Sequence, residues 1–210
     1  VTGRKALAAL GAVFALGFPG LPISQWFDEF ADVAHLVGYE AIWWLAVALV
    51  LGHVKFAERQ PLASIDLRAP GGRDVLAGIA AGIAILAGLV ALYAIVLPAL
   101  DSTEDAPLAQ ILATPLWWRA VSVVRAAVGE EILFRGYAIT RLEVLTGSRR
   151  IAAVTSWVIF TLEHVSFWGW GHLLVAGFAG GLLTLVYLWR RNLWVSVIAH
   201  VIVDGAALVS

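Results

Sequence analysis

The feature that most constrains this chain is a series of seven apolar stretches, each near the ~20 residues a helix needs to cross a bilayer. They cover about residues 6–27, 33–54, 75–98, 116–140, 151–168, 171–189 and 192–210. Of 210 residues, 61% are hydrophobic and only 14% charged, whereas a soluble domain carries about 25% charge. Too little polar surface remains for a water-facing shell. The length suits one helical unit, so residues 1–210 are read as a single all-α integral membrane domain, a polytopic transmembrane bundle of about seven spans. A net charge of −1 points to no nucleic-acid partner. Cysteine is absent, which excludes disulfides, thiolate metal sites and a cysteine nucleophile. The first stretch follows Arg4 and Lys5 as a secretory signal would. It carries Phe18-Pro19-Gly20 and Pro22, lacks a small-residue cleavage site and is followed by more spans, so it is read as a first span broken near Pro19.

Charge orients the stretches. Cytoplasmic loops collect Lys and Arg. The basic residues outside spans are Arg4 and Lys5, then Lys55, Arg59, Arg68 and Arg73, then Arg141, Arg149 and Arg150, and last Arg190 and Arg191. The alternate loops carry acids: Asp28, Glu29 and Asp32, then Asp101, Glu104 and Asp105. Seven spans with the N-terminus cytoplasmic satisfy this alternation. Two loops, Lys55–Asp74 and Ala99–Pro115, separate the widest-spaced spans, the second long enough for a short surface helix. Trp26, Trp117, Trp118, Trp168, Trp170, Trp189 and Trp194 fall near span ends, as interfacial belts require, whereas Trp43, Trp44 and Trp157 lie deeper.

Ionisable residues inside spans are costly and mark function or pairing. The fourth span carries Arg119, Arg125, Glu130, Glu131 and Arg135, the fifth Glu163 and His164, and the seventh His200 and Asp204. In the second, His35 and Glu40 stand near the outer end, where solvation is expected. Glu131 and Arg135 are i,i+4 and share a helix face, which suits a structural ion pair. Glu130 lies about 100° round from Glu131 and needs a partner from another helix, a proton, a metal or water. His200 and Asp204 are likewise i,i+4. Measured from each span's cytoplasmic end, Glu130 is about 15 Å deep, His164 about 20 Å, His200 about 12 Å and Asp204 about 18 Å. Groups from three helices therefore meet in one slab near the bilayer centre, as one site requires.

These residues also form three motifs. Glu130-Glu131-Ile132-Leu133-Phe134-Arg135 resembles the E-E-x-x-x-R motif of the CPBP family, the CAAX-protease and bacteriocin-processing intramembrane proteases. Phe160 to His164 resembles its F-x-x-x-H motif, and His200 to Asp204, after Asn192-Leu193-Trp194, its H-x-x-x-N/D motif. The resemblance covers about residues 115–210 and marks them as catalytic core helices. It implies that Glu130 activates water, that His164 assists Glu130 or binds a metal, and that His200 with Asp204 stabilises the oxyanion or completes a metal site. Glu131, Arg135 and Phe160 would support the site. The substrate it implies is a peptide: a prenylated C-terminus, a leader peptide or a membrane-anchored segment.

The chemistry of the residues fits hydrolysis, which needs a base for water and a donor for the oxyanion. Glu130, His164 and His200 are also a donor set for Zn²⁺ with an open fourth position. H-E-x-x-H is absent, so the zincin helix is excluded. An ionised Asp204 cannot donate to an oxyanion as Asn does; it must be protonated, orient His200 or ligate a metal, which leans toward the metal reading. Two other readings stay open: a proton-coupled transporter, since mid-membrane Glu, His and Asp also suit a relay, and a non-catalytic binding or immunity protein. Gly177, Gly180 and Gly181 are read as helix-packing positions.

Overall fold

The computed structural model describes residues 2–27, 32–99 and 105–208. Asp28, Glu29, Asp101 and Glu104, on which the charge alternation partly rests, lie outside the described residues. Helix α1 (Thr2–Gly17) stops where Phe18-Pro19-Gly20 disfavours helical backbone before a proline, and a 3₁₀ turn, Ile23–Phe27, follows. Thus the first helix breaks at the expected place. Helix α2 (Val33–Gly52) is capped by Asp32, whose carboxylate accepts from His35 N at 3.0 Å, and runs into a π turn, His53–Ala57. Helix α3 (Gly72–Ala91) continues through a π turn, Leu92–Val96. The Ala99–Pro115 connection carries the short helix α4 (Asp105–Leu112).

Helix α5 (Leu116–Glu130) passes without a break into a π-helical segment, Glu131–Ile139, and then α6 (Thr140–Thr146). Gly147, in the left-handed region at φ 72°, ends it. Helix α7 (Arg149–Glu163) leads through the turns Val165–Trp168 and Trp170–His172 to α8 (Leu173–Arg190) and α9 (Leu193–Leu208). The protein is all-α, with no strand among the described residues. Four helical stretches are long and apolar enough to cross a membrane: Val33–Ala57, Gly72–Ala99, Arg149–Trp168 and Trp170–Arg190; α9 is apolar but shorter. Exposed Leu10, Val13, Val37, Leu45, Leu76 and Ile83 give the outside of the bundle its apolar, lipid-compatible face.

The core forms around the π segment, all nine residues of which are buried. Ala12 and Ala15 of α1, Val47, Val50 and Val54 from α2 and its π turn, Phe160 of α7, and Leu193 and Val197 of α9 pack with it. Side-chain hydroxyls also take up three carbonyls of this segment, that of Tyr137 accepting from Thr140 Oγ1 at 3.0 Å. Ser156 Oγ donates to Phe134 O at 2.7 Å and Thr140 Oγ1 to Gly136 O at 2.7 Å. Helix α3 lies against α9 over Gly78 and Gly82, where a Cβ would stand 2.8 Å and 2.9 Å from the Cβ atoms of Ile198 and Ile202. Such small-xxx-small spacing lets two helices in lipid approach closely.

Several polar residues sit elsewhere than expected. Arg141 is not in a solvated loop: the helix continues to Thr146, and Arg141 is buried with Glu58, Nη2 to Oε2 2.6 Å. The Lys55–Asp74 connection works as a clamp at one end of the bundle. Glu58 also accepts from Tyr137 OH at 2.8 Å, Asp66 accepts from Tyr187 OH at 2.7 Å and pairs with Arg191 at 2.9 Å, and Asp74 pairs with Arg190 at 2.6 Å. Glu40 is not solvated but buried against Arg125 at 3.3 Å. Trp118 is buried rather than interfacial, whereas Trp44 is exposed. Apolar periodicity cannot reveal such pairs, because both partners sit on separate helices.

Truncating one partner of a buried pair strands the other, at a cost of about 3–5 kcal/mol. Glu58→Ala is therefore expected to lower the thermal unfolding midpoint in detergent sharply. Arg149→Ala, which breaks the half-exposed pair with Glu143, should shift it little, since exposed pairs contribute about 0–1 kcal/mol.

Candidate functional site

A cavity of about 860 Å³ opens between the helices. Its walls are mostly apolar, with Leu89, Val90, Tyr93 and Leu97 from α3 and its extension on one side. Glu130, His164, His200 and Asp204 all line it, so the structure brings the four sequence-predicted residues round one space. Phe160 lines it too, whereas Glu131 and Arg135 do not.

Glu130 and Glu131 go separate ways because successive helical residues point about 100° apart. Glu131 turns into the core and is fully buried. Its Oε1 meets Arg135 Nη1 at 3.1 Å and His200 Nδ1 at 3.1 Å. The expected i,i+4 pair is present, and His200 is a third member that sequence spacing did not suggest. Arg135 donates through Nη2 to Gly180 O at 3.0 Å and lies 4.0 Å over the Phe160 ring. One buried cation thus has a carboxylate, a carbonyl and an aromatic face, which together offset its loss of water. Gly180 permits this approach: a Cβ there would stand 2.6 Å from Phe160 Cε1 and 3.3 Å from Arg135 Nη2. Gly181 likewise takes Trp157 and Gly177 takes Thr161, and the Trp157 indole N–H donates to Gly177 O at 2.9 Å.

His200 has a carboxylate at each ring nitrogen. Nδ1 faces Glu131, and Nε2 faces Asp204 Oδ2 at 3.3 Å and Glu130 Oε2 at 4.0 Å. A doubly protonated ring satisfies both sides at once. Asp204 thus stands where it can orient His200, one of the three roles open to it. His164 is anchored differently: Nδ1 lies 2.7 Å from Phe160 O. A carbonyl can only accept, so Nδ1 carries the hydrogen and Nε2 of the neutral ring keeps its lone pair.

Three cavity residues escaped the sequence reading in whole or part. Arg125 lines the wall between the rings of Tyr39 and Trp43, 5.2 Å and 4.8 Å from their centroids. Glu163 also reaches the cavity and lies beside the turn at Gly20. His172 lines it from the turn before α8 and stacks on His164. No group of three His, Cys, Asp or Glu side chains among the described residues is arranged to hold a metal ion. His200 also has both nitrogens committed to carboxylates, so Glu130, His164 and His200 do not fit a shared Zn²⁺ as they stand.

This is an integral membrane protein whose helical bundle encloses an acid- and histidine-lined cavity. Residues 112–206 match the family model described as type II CAAX prenyl endopeptidase Rce1-like. That stretch carries all three motifs, and the match supports the CPBP/CAAX protease family. No curated protein and no solved structure matches the chain.

Gly180→Ala is expected to lower the unfolding midpoint by overpacking, at a cost of about 1–3 kcal/mol. Gly205→Ala, where a Cβ meets open space, should leave it unchanged or raise it.

Proposed function

We propose that this protein is an intramembrane endopeptidase that cleaves prenylated or otherwise membrane-anchored peptides with water activated by Glu130. The observation that carries the reading is the division of labour in the acid pair. Glu131 is taken up by Arg135 and His200, whereas Glu130 lines the cavity 4.0 Å from His200 Nε2. As the water oxygen attacks the carbonyl carbon, Glu130 takes its proton, and the C–N bond breaks as that proton passes to the leaving nitrogen. His164 Nε2 accepts a hydrogen bond from the same water and fixes its direction of attack. The oxyanion is met by the Nε2–H of His200, which it shares with Asp204 at 3.3 Å while Glu131 holds the ring through Nδ1. No step is assigned to a metal, because the donors do not fit one.

The cavity's size suits a lipidated segment, since pockets for small apolar ligands span roughly 300–1,000 Å³. The apolar α3 wall would face the lipid and the polar wall the peptide. We further propose seven crossing helices with the N-terminus cytoplasmic. The first and seventh are shorter than a full span, and the fourth is rich in charge, yet its Arg125, Glu131, Arg135 and Arg141 are all buried inside the bundle, where paired charges are tolerated.

Glu130→Gln removes the base at nearly constant shape. It is expected to lower cleavage of a prenylated peptide by about 10²–10⁴-fold, with an unchanged unfolding midpoint; cleavage that survives it would sink the proposal. Protein stripped of divalent ions by chelation should keep its activity, and loss restored by Zn²⁺ would replace the metal-free route.

A further inference from the structure

His172 enters through a sharp reversal of the chain. Helix α7 ends at Glu163, the turn Val165–Trp168 follows, and Gly169 at φ 82° sends the backbone into the turn Trp170–His172. The reversal brings the His172 ring back over the ring of His164, eight residues earlier. Their centroids are 5.8 Å apart with planes at 13°. The indole of Trp168 lies on His172, at 4.6 Å and 14°. Phe160 also meets His164, at 4.5 Å and 54°. A column of rings, Trp168–His172–His164–Phe160, thus ends on the guanidinium of Arg135.

Such a column restricts the one motion that His164 retains. The bond from Nδ1 to Phe160 O fixes one edge of the imidazole, but a ring held by a single hydrogen bond can still tilt about it. A flat, buried partner on its face removes that freedom, and parallel rings at this separation attract. His172 is 9% exposed and lines the cavity beside His164.

We propose that His172 is a positioning residue for His164, holding the imidazole by stacking so that Nε2 stays aimed into the cavity. The role depends on its flat ring and not on proton transfer by its nitrogens. Its effect on cleavage rests on the proposed function, whereas its effect on the His164 ring does not.

The test compares His172→Ala, His172→Leu and His172→Phe in the full-length protein in detergent or nanodiscs. Two readouts are needed: cleavage kinetics on a prenylated peptide, and imidazole ¹⁵N spectra of histidine-labelled protein, tractable with 5 histidines. In the parent, His164 should show one tautomer, protonated at Nδ1. His172→Ala and His172→Leu should give mixed or exchange-broadened His164 signals. Their kcat should fall about 10–100-fold with KM within about twofold, as expected when a reacting group is misplaced by roughly an ångström. His172→Phe should restore the sharp Nδ1–H signal and most of kcat. Should the alanine variant fold poorly, the leucine variant carries the comparison, because it fills the volume without a flat ring. An unchanged His164 spectrum in the leucine variant overturns the proposal. A phenylalanine variant as impaired as leucine also overturns it, by showing that the ring nitrogens matter. If Glu130→Gln still cleaves, Glu130 is not the base, and if the parent protein does not cleave, the peptidase reading fails; in either case the spectra still decide the stacking role.

Discussion

One carboxylate organises the interior of this protein. Glu131 is fully withdrawn from solvent, and a lone charge there would be expensive. Its Oε1 stands at 3.1 Å from both Arg135 and His200. Arg135 extends the connection to the backbone of α8 and the ring of Phe160, and His200 extends it to Asp204. The π segment, α7, α8 and α9 are thereby joined at one point. Because ion pairs and hydrogen bonds are directional, that point also sets how each helix is rotated, which apolar packing in lipid leaves less defined.

The π segment has a related effect. It begins between the two adjacent glutamates, one sealed in the core and one facing the cavity. Its carbonyls accept hydroxyl donors, including Ser156 on α7. Local widening of a helix occurs often at functional sites, and here it lies at the start of the site's first motif.

Much of this was legible in the sequence, and the remainder was illegible for identifiable reasons. Helix positions followed from apolar runs, and the break after α1 from Pro19. The Glu131–Arg135 and His200–Asp204 pairs followed from helical spacing, because both partners lie on one helix. The meeting of Glu130, His164 and His200 round one space followed from a depth argument that treats each span as a ruler. What could not be read were contacts joining remote segments: Glu40 with Arg125, Glu58 with Arg141, Glu131 with His200. Each pair is separated by more than 60 residues, and no periodicity encodes it. His172 was missed because the sequence places it just inside the sixth span, while Gly169 folds it back over the fifth.

The contact between α3 and α9 has a bearing on the site although α3 supplies none of its ionisable groups. Ile198 and Ile202 of α9 bracket His200 in sequence and rest in the notches left by Gly78 and Gly82. Interlocking of this kind resists sliding along the axis much as it resists separation. The height of the His200 imidazole is therefore indexed against a neighbour whose opposite surface carries exposed Leu76 and Ile83. A displacement of α3 would therefore carry α9 with it, and with α9 the depth of the polar cluster.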